Sequence, residues 1–259
     1  MKKSLLSALL AILPVSWANS ASLVPIGNFK YELNSKNQTA IVSKLGTSYT
    51  GHLEIPGSVV YEGVTYQVVK IQEGGFSGCT GITSFTIPSS IDEIGGYTFK
   101  GCTSLTTATL PDNKTEIPRY MFQDCTSLTS VTIPSGVTRI NEYAFNNCSK
   151  LESIQLPDGL KIIEGSAFSS CTKLATITLP SGMKSIGNRA FKGCTGLTDV
   201  YSLPKTIANS SASDGFYTDQ TAFDEANPSN ILLHVPTTAV EAYKAKKPWS
   251  DFKDVVDNA

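Results

Sequence analysis

Hydrophobic positions recur along the chain at a step of 23 residues, and each recurring position keeps one residue type. All six cysteines follow this step, at Cys79, Cys102, Cys125, Cys148, Cys171 and Cys194. Six phenylalanines do the same, at Phe76, Phe99, Phe122, Phe145, Phe168 and Phe191. Isoleucines keep the step at Ile71, Ile94, Ile117, Ile140, Ile163 and Ile186, and prolines at Pro88, Pro111, Pro134, Pro157 and Pro180. Four residue types in one phase predict a chain of stacked, near-identical units.

Each copy predicts a short strand followed by a return segment. The clearest copy, Cys125–Asn147, reads CTSLTSVTIPSGVTRINEYAFNN. Val131 and Ile133 alternate with polar residues, which is typical of a half-buried strand. Pro134 then ends the strand, because proline has no N–H for a ladder. The apolar residues that follow come at steps of three and four, which favours a short helical, 3₁₀ or irregular return; they are Val137, Ile140, Ala144 and Phe145.

A single unit cannot bury both its strand and its return segment, so neighbouring copies must stack to close a common core. The string L-x-x-[VIA]-x-[IL]-P…I-x-x-x-A-F-x-x-C, over residues 71–204, resembles the BspA-type leucine-rich repeat of bacterial surface and secreted proteins. The resemblance implies an α/β repeat solenoid: a leucine-rich-repeat horseshoe with a parallel sheet on its concave side. It also implies binding or adhesion rather than chemistry. The copy from Cys102 departs at Lys114 and Met121, so we expect that turn to be less regular.

Residues 21–70 are predicted to cap the N-terminal end of the solenoid, because a terminal core needs covering. Phe29–Leu33 and Ala40–Val42 flank a polar turn and predict a β-hairpin. Leu53–Pro56 resembles a repeat strand, and residues 59–68 predict a second hairpin inserted into this degenerate first repeat. These residues, the repeats and the C-terminal region are expected to form one structural domain.

Residues 205–259 are predicted to combine an insertion loop, a last strand at Ile231–Pro236 and a C-terminal cap. Thr238 and Glu241 have the spacing of a capping box, which predicts a short helix before Pro248. Two aromatic residues, Trp249 and Phe252, are expected to seal the final core.

Residues 1–20 have the pattern of a secretory signal peptide. Lys2 and Lys3 form a basic start, Leu5–Val15 forms a short apolar stretch, and small residues follow. The apolar stretch is shorter than the about 20 residues that span a bilayer, and no later stretch is long and apolar enough. We therefore expect an exported protein, periplasmic, cell-surface or extracellular, with no membrane span.

The six cysteines allow two interpretations. An exported chain with six cysteines ordinarily suggests disulfides, and turns about 4.8 Å apart lie near the lower limit of disulfide Cα separations. However, identical phase points the Cβ atoms in parallel, which fits the disulfide dihedral poorly, so we favour buried free thiols. A linear row of thiols does not converge on a tetrahedral zinc ion.

Charge and composition argue against several function classes. The chain has 21 basic and 22 acidic residues, a net charge of −1, which argues against nucleic-acid binding. It has two histidines, His52 and His234, expected at opposite ends of the solenoid, and no hydrolase, metalloprotease or phosphate-loop motif. We therefore expect no enzyme activity, no cofactor and no metal, and a monomer.

The outward residues of the repeat strands form the first candidate binding site, which we call the hydroxyl face. One column is Ser84, Thr107, Ser130, Ser153, Thr176 and Asp199; the other is Thr86, Thr109, Thr132, Gln155, Thr178 and Tyr201. Serine and threonine also simply suit exposed strands, and a threonine row resembles that of ice-binding solenoids. The functional interpretation is a polar surface for an extended protein loop or a glycan.

The insertion loop is the second candidate site, because long loops on a rigid scaffold often carry recognition. It offers Phe216, Tyr217 and Asp219 beside small polar residues, although a plain connecting loop is the alternative. Three functions remain open. The first is an exported binding protein for cell-surface adhesion or host interaction, the second is an accessory module of a bacterial envelope assembly, and the third is a hydrolase on a repeat scaffold.

Overall fold

The computed structural model describes residues 23–207 and 215–258. The predicted signal peptide and residues 208–214 of the insertion loop lie outside the described residues. The strands are β1 (Leu23–Ile26), β2 (Phe29–Asn34), β3 (Thr39–Lys44), β4 (Thr50–Glu54), β5 (Ser58–Tyr61), β6 (Val64–Ile71), β7 (Gly81–Thr86), β8 (Glu93–Ile94), β9 (Thr107–Thr109), β10 (Glu116–Ile117), β11 (Ser130–Thr132), β12 (Arg139–Ile140), β13 (Ile162–Ile163), β14 (Thr176–Leu179), β15 (Ser185–Ile186), β16 (Asp199–Ser202), β17 (Tyr217–Thr218), β18 (Leu232–Val235) and β19 (Asp254–Asp257). The α-helix α1 is Val240–Lys244, and 3₁₀ segments cover Pro228–Asn230, Thr237–Ala239 and Trp249–Asp251.

The N-terminal region contains both predicted hairpins. Strand β2 pairs antiparallel with β1 and with β3, and β5 pairs antiparallel with β6. Strand β3 then lies parallel to β6, with a register shift between Ala40 and Ile41. The predicted repeat-like strand is β4, which lies parallel to β7. These pairings confirm the predicted strands, and they join the N-terminal region to the first regular repeat.

The predicted repeat strands form the first of two parallel ladders. In this first ladder β9 pairs with β11, and β14, β16, β18 and β19 pair in order, all parallel. Residues that pair in the regular copies are 23 apart, as Thr107 and Ser130 are. The copy at Leu151–Leu156 forms no strand, although Ala175 still donates its backbone N–H to the Glu152 carbonyl at 3.2 Å. The last strand, β19, was not predicted.

The return segments form the second parallel ladder, which corrects the helical prediction. Strands β10, β12, β13, β15 and β17 pair in order, with Ile117 opposite Ile140 and Ile140 opposite Ile163. Turns follow each of these two-residue strands, and no described residue between 71 and 204 is helical. Apolar residues spaced three and four positions apart are compatible both with a helix and with a short strand followed by a tight turn. The extended form occurs here because the neighbouring copy supplies hydrogen-bond partners for an extended backbone.

The core lies between the two ladders and continues from one copy to the next. Phenylalanine rings stack on those of the next copy with centroids 5.1 to 6.1 Å apart, from Phe76 to Phe223. The phenylalanines of the repeat column have no exposed surface, and the isoleucine column beside them is likewise buried. Stacking therefore buries the side chains that one copy could not bury alone.

The six cysteines are buried, as predicted, and are free thiols in this structure. Five of them donate the Sγ hydrogen to the carbonyl oxygen of the phenylalanine 26 residues earlier, at 3.0 to 3.4 Å. Burial raises the pKa of Cys102 and of Cys194 to about 12. The thiols therefore act as small core groups with one weak hydrogen bond each.

The copy from Cys102 is more regular than expected. Lys114 is 6% exposed, and its Nζ donates to the carbonyls of Ile91 and Asp92, the latter at 3.0 Å. Burial lowers the pKa of Lys114. Met121 fills the alanine position without exposure, and the strands of this copy form. The unusual lysine is accommodated because backbone carbonyls of the preceding copy accept its hydrogen bonds.

The C-terminal region packs its aromatic residues as predicted but begins its helix differently. Thr238 lies within a 3₁₀ segment, and the residue before α1, Ala239, makes no side-chain capping bond, so the capping box is wrong. Trp249 and Phe252 are buried against Phe223, with ring centroids 5.5 and 5.1 Å away. The Tyr243 hydroxyl donates to the Pro204 carbonyl at 3.0 Å, which ties α1 to the repeats.

Candidate binding surface

The hydroxyl face lies on the first ladder, and its side chains alternate with buried residues. Ala108, Val131 and Ile177 point into the core, so their neighbours along each strand point outward. Nine of the twelve residues in the two columns are exposed, namely Thr86, Thr107, Thr109, Ser130, Thr132, Ser153, Gln155, Thr176 and Thr178. Ser84, Asp199 and Tyr201 are half-buried. The structure thus brings the two columns together on one surface, including Ser153 and Gln155 of the copy that forms no strand.

The middle of this face carries no ionisable side chain. Thr107 lies opposite Ser130 and Thr109 opposite Thr132, and farther along the ladder Thr176 lies opposite Asp199. Each hydroxyl can donate one hydrogen bond and accept others. The middle of the face therefore offers hydrogen bonds and shape rather than charge.

At its N-terminal end the face is extended by β4, whose register with β7 adds His52 and Glu54 to the two columns. The His52 Nδ1 lies 2.8 Å from the Ser84 Oγ, and its Nε2 lies 2.9 Å from the Thr86 Oγ1. The Glu54 carboxylate is 3.8 Å from the same Nε2. Both nitrogens of the imidazole are thus held by hydroxyl groups of β7.

At its C-terminal end the face is extended by β18, which places His234 beside Tyr201. Their rings stack with centroids 4.3 Å apart, and the His234 Nε2 lies 2.8 Å from the Asp199 Oδ1. The hydrogen bond from His234 lowers the pKa of Asp199, and one with Thr198 adds to the effect. Sequence reasoning named Asp199 and Tyr201 but missed His234, because 33 residues rather than 23 separate it from Tyr201.

The His52 cluster does not have the geometry of a serine-hydrolase site. A serine hydrolase needs its histidine hydrogen-bonded to both the nucleophile and an orienting carboxylate. In the His52 cluster a threonine hydroxyl holds the nitrogen that the carboxylate would need, and the Glu54 oxygen is beyond hydrogen-bonding distance. Within residues 23–207 and 215–258, no three histidine, cysteine, aspartate or glutamate residues are placed to hold a metal ion.

The insertion-loop residues do not all lie on the surface. Phe216 is 1% exposed and packs against Trp249, with ring centroids 5.9 Å apart, so it belongs to the core. Tyr217 is half-buried in β17, and the Asp219 carboxylate accepts hydrogen bonds from the N–H and hydroxyl of Thr221. Phe216 was predicted as a contact residue because the local sequence of a loop does not show whether an aromatic side chain is buried against residues elsewhere in the chain.

A stack of three tyrosines on the return side was missed by sequence reasoning. Tyr97, Tyr120 and Tyr143 stack with centroids 4.4 and 4.7 Å apart, and each has a left-handed backbone with φ between 56° and 59°. The guanidinium of Arg119 packs over Tyr97 and binds Glu73 at 2.7 Å. Left-handed backbone is costly for bulky residues, and ring stacking offsets part of that cost. Their 23-residue step is the signal that could have found them.

Comparison with known proteins identifies the repeat. The family model of the BspA type leucine rich repeat region matches six copies, over residues 64–151 and 115–220. The chain belongs to this family. No helix among the residues described is long and apolar enough to cross a membrane. A search of curated proteins found no match.

Several solved structures of leucine-rich repeat proteins are similar to the chain. One from Bacteroides ovatus is 21% identical, with 90% of this chain and 76% of that one covered and a TM-score of 0.43. The T. pallidum leucine-rich repeat protein is also 21% identical, with 86% and 95% covered and a TM-score of 0.47. The pneumococcal vaccine antigen PcpA is 14% identical, with 92% and 99% covered and a TM-score of 0.44.

Proposed function

We propose that this protein is an exported, non-enzymatic BspA-type leucine-rich-repeat protein that binds a protein or glycan partner through the hydroxyl face. Its role is cell-surface adhesion or host interaction. The observation that carries the proposal is the uninterrupted set of exposed, uncharged polar side chains between the ionisable ends of the face.

The chemistry of the face favours an extended, neutral, polar partner. Hydroxyl groups on neighbouring strands repeat at about 4.8 Å along the ladder, and each can donate and accept. A glycan presents hydroxyl groups that likewise donate and accept hydrogen bonds, and an extended protein loop presents backbone amides. Along the two columns and their extension by β4, a basic partner finds carboxylates only at the ends, at Glu54 and Asp199.

The partner is to be sought with a glycan and matrix-protein array probed with the chain from residue 21 onward. We expect binding to a neutral polysaccharide or to an extracellular protein. A pull-down that retains only bacterial envelope proteins would instead favour the accessory-module interpretation.

Two matched threonine substitutions test the site once a partner is found. Thr132→Arg places a long cation in the middle of the hydroxyl face, whereas Thr138→Arg makes the same change at an exposed position beside β12. We expect Thr132→Arg to weaken binding at least about tenfold, because it removes small hydroxyl contacts and obstructs the face. Thr138→Arg should leave affinity unchanged. Equal affinities for both variants, with unchanged melting, would contradict the site.

A further inference from the structure

Among the strands that the structure describes, β4 pairs with β7 alone, so the first ladder ends at β4 in an edge without a described partner. Ile55 donates its backbone N–H to the Thr86 carbonyl at 3.1 Å, so its backbone groups face β7. Because successive residues of a strand face opposite edges, the backbone N–H and C=O of His52 and Glu54 point away from β7. Within the described residues, these four backbone groups meet no strand, which leaves a template for one more strand.

A groove of about 620 Å³ runs beside this edge. Its lining includes Phe29, Leu45 and Tyr49 on one side and His52 and Glu54 of β4 on the other. Leu45 is 43% exposed, so its side chain is accessible to a ligand in the groove. The groove therefore combines backbone hydrogen-bonding groups with an apolar wall.

The groove is rigid on both sides. The Tyr49 ring stacks on Phe29 at 5.9 Å and meets Phe76 edge-on at 5.9 Å. The Tyr49 hydroxyl donates to the Asn28 carbonyl and accepts from the Leu45 N–H at 3.0 Å. Opposite, the His52 ring is held by two hydroxyl groups of β7. Such a site loses little conformational entropy when it binds a ligand.

The charge of the groove selects against an acidic occupant. Glu54 is the one carboxylate in the lining, its side chain is 76% exposed, and the lining contains no lysine or arginine. The edge strand at the other end of the ladder, β19, carries Asp254 and Asp257. A second copy that added β19 to β4 would place acidic residues near Glu54, which disfavours assembly of copies end to end.

We propose that the β4 edge binds an extended peptide segment of another protein by strand addition. The backbone of the peptide pairs with His52 and Glu54, an apolar side chain packs on Phe29, Leu45 and Tyr49, and a basic side chain lies near Glu54. Strand addition uses main-chain hydrogen bonds for affinity and side-chain pockets for specificity. This site uses the outer backbone edge of β4, where the hydroxyl face ends at His52 and Glu54. A substitution in the middle of the face, Thr132→Arg, distinguishes it from the proposed function.

The test uses a fluorescein-labelled heptapeptide, Lys-Val-Lys-Leu-Lys-Val-Lys with blocked ends, and fluorescence polarisation. Two isomers carry backbone N-methyl groups, one on the second and fourth residues and the other on the third and fifth. Since alternate N–H groups of a strand face opposite edges, one isomer should bind at least about tenfold more weakly than the parent and the other should bind equally. Equal binding by both isomers, or no binding by the parent, would overturn the proposal.

Two substitutions at one position separate backbone pairing from charge. Glu54→Pro removes the outward N–H together with the carboxylate. An edge strand tolerates the missing N–H, and binding should weaken about tenfold, because both the backbone pairing and the charge are lost. Glu54→Gln keeps the N–H and should weaken binding up to about fivefold. If Glu54→Gln weakened peptide binding as much as Glu54→Pro does, the contact at Glu54 would be purely electrostatic. That result would contradict strand addition.

Other occupants would give different results in the same experiments. Concentration-dependent oligomers that Glu54→Pro abolishes, seen by sedimentation, would assign the edge to a second copy of the chain. Peptide binding that appears only after removal of residues 1–22 would assign it to the N-terminal segment of the chain itself. Either result would overturn the proposal, whereas Thr132→Arg should leave peptide binding unchanged.

Discussion

The phenylalanine column and the hydroxyl face share the 23-residue period, but they differ in how much the residue type varies from copy to copy. In the core every regular copy has phenylalanine, and the rings stack without exposed surface. On the hydroxyl face the same step allows serine, threonine, glutamine, aspartate and tyrosine. The core must be close-packed, so a change of one side chain is felt by both neighbours. The face meets water, so the fold asks only for side chains that suit an exposed strand.

This difference separates what the repeat does for stability from what it can do for recognition. A column with one residue type in every copy reflects the packing of the interior and gives no information about a binding partner. The places where the face departs from small hydroxyl residues lie mainly at its ends, near His52 and His234. Chemistry that varies between copies is therefore more informative about binding than the repeated residues that define the family.

The largest effect should come from the core. Phe145→Ala removes a ring that stacks on two neighbours at 5.4 and 5.1 Å, and it should lower the free energy of unfolding by about 3–5 kcal/mol. Urea denaturation followed by circular dichroism measures it. A loss below about 1 kcal/mol would show that the interior is not close-packed at this ring.

The buried thiols should give a pH-dependent effect of intermediate size. The folded pKa of Cys102 is about 12, above its ordinary value of 9.0, because burial disfavours the thiolate. The stabilisation is therefore fully present below about pH 9 and is lost as pH rises toward 12. Cys102→Ala should make the free energy of unfolding decline less steeply above pH 9.

Chemical labelling of the thiols provides a direct control for the pH-dependence experiment. Native thiols should react slowly with a thiol reagent at pH 8 and rapidly in denaturant, because all six are buried. Rapid labelling of the folded protein, or an unchanged pH slope in the variant, would contradict the buried thiol ladder.

The smallest effect should come from the hydroxyl face. Thr132→Ala removes an exposed hydroxyl and should change the free energy of unfolding by less than about 0.5 kcal/mol. Differential scanning calorimetry of this variant beside Phe145→Ala compares the two regions directly. Equal shifts in melting temperature would mean that the inward and outward positions have been exchanged.

Sequence reasoning predicted the core column and the outward columns because both follow from local alternation and the 23-residue step. It was wrong about the return segments: β12 at Arg139–Ile140 is extended because its stacked neighbours offer backbone partners. Phe216 was misplaced for a related reason, since Trp249, from a distant part of the chain, creates the pocket that buries it. In both places the deciding partner is remote in sequence.

In the terminal regions, too, local sequence patterns predict hairpins but do not show contacts with residues remote in the chain. The hairpins of the N-terminal region follow from alternation around polar turns, and the structure contains them. The free edge of β4 and the groove beside it depend on how Tyr49 and Leu45 pack against Phe29, which no local pattern records. Strand β19 forms because β18 offers it a partner across 18 intervening residues.

The amino-acid sequence by itself determined the repeat, the side chains that enter the core and those that face water, because these depend on spacing and polarity along the chain. The tertiary structure alone decided which backbone groups pair, which histidine meets which hydroxyl, and which edge is left without a partner. The physical reason is that hydrogen bonds and ring contacts between copies join residues at least 22 positions apart, and their geometry is set only when the copies stack.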